Sequence, residues 1–323
     1  MNEILPLYPT EVNIAPATQI TEDLYFRFIE YLDVGDKSVA AYSGWLKQFF
    51  EWMKANRVQN PNRRDILNYR SCIKKTLKAT TVQNYMVAIR RFFTWTEMEG
   101  IYPNVAKNIK GVKVSQEHKK DALTKRQARK VLASIERDTL AGKRDYAILA
   151  LMLTCGLRDI EVIRANIDDI RPVTDFTAIF IQGKGRDEKT EYVRIHEDTE
   201  EAIRDYLIAR GARSETEPLF TSTSNRNKNG RMRGESLSRI VKTRLRQAGF
   251  NSSRITAHSL RHTSVTISLL AGKPIQEVKE FARHRNIRTT LIYDHSLEKA
   301  KNSCGEAVSQ AIFGNDEEGS DQN

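Results

Sequence analysis

The chain has 323 residues, of which 40% are apolar and 29% charged, and its formal net charge is +11. That length is enough for two domains, and that composition excludes an intrinsically disordered chain. The longest apolar stretch, residues 146–157, is too short to span a bilayer, and no secretion signal opens the chain; Cys72, Cys155 and Cys304 lack metal-ligand spacing, so a cytoplasmic protein without a membrane partner is expected.

Residues 1–18 hold three prolines and little periodicity, which reads as a loose arm. From residue 19 to 105 the apolar pattern is helical. It predicts helices over Asp23–Leu32, Lys37–Ala55, Arg63–Leu77 (with Asn62 as cap) and Thr80–Glu99, together a small bundle. Pro103-Asn104 stops the last helix. Residues 106–121 then form a basic linker with Lys107, Lys110, Lys113, Lys119 and Lys120, either a solvated tether or a strap along a polyanion.

From residue 122 to 295 the pattern is mixed. Helices are predicted over Leu123–Glu136, with Thr124 as cap, and over Lys143–Cys155, the most apolar of all. Short alternating runs at Ile167–Pro172, Ala178–Gln182 and Glu191–Ile195 read as strands. Helix resumes at Glu200–Ala209, a Gly/Asn/Arg loop covers Ser222–Gly234, and the remainder is helical. The expected class is α+β: an N-terminal helical bundle, then a mainly helical domain with a small antiparallel sheet. Residues 296–323 form a tail whose first part is amphipathic (Val308, Ile312, Phe313) and whose end is acidic.

Charge is uneven along the chain. Residues 122–295 carry 32 basic and 22 acidic side chains, whereas residues 1–105 carry 13 and 11. A polyanion bound through counterion release is the natural partner of such a surface. Residues 226–246 hold eight of the basic residues and one acid, and Arg239, Lys242 and Arg246 share a helical face suited to phosphates or a major groove.

The same domain carries Arg158, Lys184, His258, Arg261, His284 and Tyr293. Two arginines, a lysine, two histidines and a tyrosine suffice for metal-free phosphoryl transfer to a tyrosine hydroxyl. The guanidinium groups neutralise phosphate oxygens, a lysine or histidine protonates the leaving oxygen, and the tyrosine attacks. Each residue alone has an ordinary structural reading. Arg158 pairs as well with Asp159 or Glu161, Lys184 sits on a Gly-Lys-Gly turn near Arg186 and Lys189, and Tyr293 reads also as a packed aromatic. His258 and His262 stand at i, i+4, but no third ligand follows, so no metal and no cofactor are expected.

Order and spacing decide: 35 residues separate His258 from Tyr293, nine separate His284 from it, and Thr289-Thr290-Leu291-Ile292-Tyr293-Asp294-His295 surrounds the tyrosine. In these residues, and over nearly the whole chain, the sequence resembles the tyrosine recombinases, the phage-integrase and XerC/XerD-like family. The resemblance implies a site-specific recombinase of double-stranded DNA that works through a 3′-phosphotyrosine and a Holliday junction. It implies Tyr293 as nucleophile, Lys184 as general acid, Arg158, Arg261, His258 and His284 around the phosphate, and Glu161 as an orienting neighbour of Arg158. It also implies that the bundle clamps DNA, with Lys74, Lys75, Thr80, Arg90, Arg91 and Lys113 as contacts. Four protomers exchanging their C-terminal tails would complete the assembly, and mobile-element integration and dimer resolution both fit. Two departures stand out: Asp159, beside the first arginine, and Arg283, where the family commonly has a helix-ending glycine. A type IB topoisomerase and a DNA-binding protein without catalysis are the alternatives.

Overall fold

The computed structural model describes residues 19–113, 121–183, 188–301 and 303–313, which fall into two compact units divided near residue 115. In the first unit the amphipathic pattern becomes α1 (Glu22–Tyr31), α2 (Asp36–Ala55), α3 (Arg63–Lys74) and α4 (Ala79–Met98). The Asn62 side chain accepts from the Arg64 N–H at 2.8 Å, and Asp65 accepts from the Asn62 N–H at 2.9 Å, so α3 opens on a reciprocal cap. It ends three residues before the predicted Leu77, where the Lys75 and Thr76 N–H groups turn onto the carbonyls of Cys72 and Ile73. The spine of the unit is α4, whose Val82, Met86, Ile89, Phe92 and Phe93 are fully buried against Phe28, Leu46, Phe49 and Ile66. Edge-to-face ring pairs, Phe28 on Phe92 at 5.4 Å and Phe49 on Tyr69 at 5.1 Å, add shape specificity to that burial.

Three bundle arginines hold the chain that leaves α4. Arg63 donates to the Lys107 carbonyl at 2.6 Å, Arg70 to that of Lys110 at 2.6 Å, and Arg90 to that of Ile109 at 3.2 Å. Gln83 accepts from the Val112 N–H at 3.1 Å. Residues 107–112 of the lysine-rich segment therefore lie on the bundle; Lys119 and Lys120, like residues 1–18, lie outside the described residues.

The second unit runs α5 (Lys125–Ala133), α6 (Leu140–Thr154), α7 (Asp159–Arg164), β1 (Ile170–Val173), β2 (Phe176–Ile181), β3 (Glu191–Arg194), α8 (Glu197–Arg210), α9 (Gly234–Gln247), α10 (Ala257–Leu270), α11 (Ile275–Phe281), α12 (Ile287–Lys301) and α13 (Cys304–Phe313). The structure is mostly helical with one small antiparallel sheet, the expected α+β class. Helix α6 is the centre of the core, with Ala147, Ile148, Leu149, Leu151 and Met152 buried. The sheet order is β1-β2-β3, and Ile170, Ile179 and Val193 pair across it with Ile179 and Val193 buried. The first strand starts later than predicted: Ile167–Asp169 form a 3₁₀ turn, closed where Asp169 accepts from the Asn166 N–H at 2.6 Å. Helix α8 starts earlier, because Glu197, Asp198 and Glu200 favour its N-terminal dipole. Helix α13 has no buried residue and presents Val308, Ile312 and Phe313 to solvent. Among the described residues no helix is long and apolar enough to cross a membrane.

Candidate active site

The site begins where α6 ends. Gly156 takes φ +57°, a left-handed conformation that glycine adopts freely, and an added Cβ would stand 3.1 Å from the Phe281 ring. The chain then turns through buried Leu157 into Arg158, the residue that caps α7. Glu161, only 1% exposed, reaches back to it. Its Oε2 accepts from the Arg158 backbone N–H at 2.8 Å and its Oε1 from the guanidinium at 2.7 Å. A second guanidinium nitrogen of Arg158 donates to the Arg283 carbonyl at 3.0 Å. Asp159 does not take Arg158 as its partner: it receives the Ser238 hydroxyl at 3.4 Å and faces His258, and burial pushes its carboxyl upward against both.

Helix α10 supplies Arg261 and the two histidines, and the reciprocal cap between half-buried Thr256 and buried Ser259 fixes its start. Arg261 is buried and donates to the Gly156 carbonyl at 2.6 Å and to the Ala282 carbonyl. His258, one turn earlier, is exposed, and its ring lies 4.9 Å from that of His262. His262 in turn lies 4.9 Å from the Tyr293 ring. His284 is buried, its Nδ1 2.9 Å from the Thr290 hydroxyl, and it stacks on Tyr293 at 6.1 Å and 20°.

Tyr293 is 4% exposed and rests on Val265, Val278 and Ala282. Burial pushes its phenol up to about 12, while Arg261 and Arg158 pull the other way. Burial and the neighbouring charges of Arg158 and Arg283 lower Arg261 below the usual arginine range. Glu161 is held below the usual carboxylate range, since Arg283 and Arg158 outweigh the burial that acts to raise it.

Arg158, Arg261, His258, His284, Tyr293 and Glu161 thus belong to one connected cluster. Arg158 and His284 open on a cleft of about 880 Å³ whose far wall includes Gly183, Thr190 and Tyr192. Lys184, next to Gly183, lies outside the described residues, as does Arg186. Lys189, the other cation near that turn, is paired with Asp169 at 2.5 Å. Sequence reasoning noted Arg283 as an arginine where the family commonly has a helix-ending glycine, with a backbone contact as its possible use. It takes φ +52° itself, and its guanidinium donates to the Phe281 carbonyl at 2.7 Å, the Gly156 carbonyl at 2.9 Å and Glu161 at 2.9 Å. The signal was in the substitution: a large cation where glycine ends a helix most cheaply.

The residues expected to touch DNA are divided. Lys74, Lys75, Lys113 and Arg239 are exposed, and Thr80 is half-buried in the first turn of α4. Arg90 holds the Ile109 carbonyl and Arg91 lies 5.1 Å over the Tyr42 ring. Lys242 bends onto the Ser252 and Ile255 carbonyls at 2.6 and 2.9 Å, and the exposed Arg246 donates to Asn251 at 2.8 Å. In the same basic run Arg231 holds the Ile163 carbonyl, and Arg244 pairs with Asp145 at 2.7 Å. Helical spacing cannot tell a cation that faces solvent from one that fastens a neighbouring loop.

Residues 121–300 match the phage integrase family, and residues 23–100 match the phage integrase N-terminal SAM-like domain. The tyrosine recombinase XerC of Thermodesulfovibrio yellowstonii is 28% identical, over 82% of this chain and 88% of its own. A TnP I resolvase of Bacillus thuringiensis is also 28% identical, over 84% and 94%. Among solved structures, the XerH site-specific recombinase in its post-cleavage complex with a palindromic difH substrate aligns with a TM-score of 0.70. It is 24% identical and is covered over 84% of this chain and 81% of that one, a likeness of fold. With one family match spanning more than half of its length and a second over the bundle, the chain belongs to the phage integrase family, as a tyrosine recombinase of the XerC/XerD type.

Proposed function

We propose that the protein cuts and rejoins duplex DNA at a specific site through a covalent 3′-phosphotyrosine at Tyr293. The observation that carries this reading is the convergence of Arg158, Arg261, His284 and Tyr293, from four separate elements, on one cluster beside an open cleft. A scissile phosphate in that cleft meets the guanidinium edge of Arg158, which is 31% exposed, with Arg261 behind it. The phenolic oxygen of Tyr293 attacks phosphorus and gives up its proton, with His258 as the accessible acceptor. The bond to the 5′ oxygen breaks, and Lys184 protonates that oxygen as it leaves. The 5′ hydroxyl of a partner duplex then attacks the phosphotyrosine, and Tyr293 departs with a proton. One phosphodiester replaces another, so no nucleotide cofactor is consumed.

Double-stranded DNA is the partner, held by the first unit through Lys74, Lys75, Thr80, Arg91 and Lys113 and by the second unit through Arg239 and Arg246, whereas Arg90 and Lys242 fasten neighbouring loops. The reaction reads as recombination by a tetramer whose tails dock on neighbouring protomers. The exposed apolar face of α13 supports an assembling enzyme over a monomeric topoisomerase. The test is to incubate purified protein with fragmented genomic DNA, trap covalent adducts in detergent and map their ends. Native protein should give adducts at a recurrent site. Tyr293→Phe should bind as well and give none, because only the attacking oxygen is lost. Adducts at native levels from that variant would move the nucleophile elsewhere.

A further inference from the structure

Arg283 is absent from the roles just described, yet its side chain bonds Glu161 and the carbonyls of Gly156 and Phe281. Among the described residues Glu161 is the one carboxylate in contact with the arginines of the cluster, and its two oxygens are divided. Oε1 accepts from the Arg158 guanidinium at 2.7 Å, and Oε2 accepts from the Arg283 guanidinium at 2.9 Å and the Arg158 backbone at 2.8 Å. The Arg283 carbonyl receives a second Arg158 nitrogen at 3.0 Å, and Arg283 and Arg261 both donate to the Gly156 carbonyl. The side chain of Arg283 is 5% exposed, against 31% for Arg158. Its backbone sits at φ +52°, which glycine occupies without the strain that a Cβ brings.

A glycine would end α11 at least as well, so ending the helix does not account for the arginine. We propose that Arg283 is a positioning residue that shares the charge of Glu161, leaving Arg158 with net positive charge to offer the scissile phosphate. Without it, Arg158 and Glu161 form a one-to-one ion pair, neutral at short range and turned toward the protein. With it, two guanidinium groups share one carboxylate, and the excess charge emerges at Arg158, the more exposed of the two, on the cleft wall. Arg283 also fixes the direction of the chain into His284, so the two phosphate-facing groups are set by one residue.

This proposal rests on the phosphotyrosine reading, and its test separates the two. A short duplex carrying the mapped site is made with an ordinary scissile phosphate or with a methylphosphonate, which has the same shape and no negative charge. Single-turnover adduct formation is measured for native protein, Arg283→Met, Arg283→Gly and Arg283→Lys, with gel shifts for binding. Both the Met and Gly variants should slow cleavage of the phosphate by about 10- to 100-fold, the usual range for a lost supporting contact. Their loss on the methylphosphonate should stay within about threefold, since a neutral centre needs little charge. The Lys variant should recover part of the loss, and so should Glu161→Gln added to Arg283→Met, because the carboxylate charge is gone. The Gly variant keeps the left-handed backbone and covers the case in which Met disturbs folding. Equal slowing on both substrates, no slowing, or no recovery by Glu161→Gln would overturn the proposal. Failure of native protein to form any adduct would instead overturn the reading beneath it.

Discussion

Tyr293 is the proposed nucleophile, and burial opposes the arginines there: the first pushes its phenol up to about 12 and the second pull it back. In the proposed reaction, attack by this protonated phenol needs a phosphate held by Arg158 and Arg261 together with an acid for the leaving oxygen. Lys184 is the residue proposed for that acid. Lys184→Ala should slow cleavage of ordinary DNA far more than cleavage of a duplex with a 5′-bridging sulfur, because a thiolate leaves without a proton. Adduct formation on both substrates is the measurement, and equal slowing would transfer the role to a group such as Arg186. Lys189 is the poorer substitute, being tied to Asp169. At this scale the sequence showed the chemistry through residue type and spacing, since guanidinium, imidazole and phenol side chains carry their reactivity with them. It did not show partners. Arg158 was expected to pair with Asp159 or Glu161; Glu161 takes it, and Asp159 faces His258.

Helices and turns bring these side chains together, and the junction of α6 and α7 has the least slack. Gly156 offers its carbonyl to both Arg261 and Arg283, and its missing Cβ admits the Phe281 ring. Gly156→Ala should cost about 1–2 kcal/mol for the left-handed backbone alone, or about 2–8 °C in the melting temperature of a unit this size. It should also slow adduct formation, because the displaced carbonyl moves two arginines. Gly211→Ala is the control: its φ is +67° with nothing within 4 Å of a new Cβ, so it should lose stability and keep the cleavage rate. Equal cleavage rates in the two variants, measured well below either melting point, would remove Gly156 from the architecture of the site. Helix identity was legible in advance, since long periodic runs such as α2 and α4 leave no other way to bury their apolar faces. The 3₁₀ turn at Ile167–Asp169 was not, because its short apolar run reads equally as strand until Asp169 is seen capping Asn166.

For the whole molecule, charge and exposed apolar surface point to different partners. The unit with 32 basic and 22 acidic residues between positions 122 and 295 suits a polyanion, whereas residues 304–323 carry five acidic and no basic residues. Removing residues 304–323 should leave binding to a single site unchanged or slightly tighter, since no phosphate contact is lost. Assembly and strand exchange should fall together, because Val308, Ile312 and Phe313 go with it. Gel-shift titration beside a recombination assay measures both, and full recombination by the shortened protein would leave α13 without an assembly role. The total charge was readable from the sequence; its allocation was not, because Arg63, Arg70, Arg231, Lys242 and Arg244 spend their donors inside the fold. The burial of Tyr293 also bears on the safety of such a protein in a cell full of DNA. A basic surface will sit on countless sequences that are not its target. Burial keeps the Tyr293 phenol protonated at neutral pH, and its ring lies beside those of His262 and His284. Under the proposed reading, DNA that seats no phosphate against the arginines is expected to stay uncut.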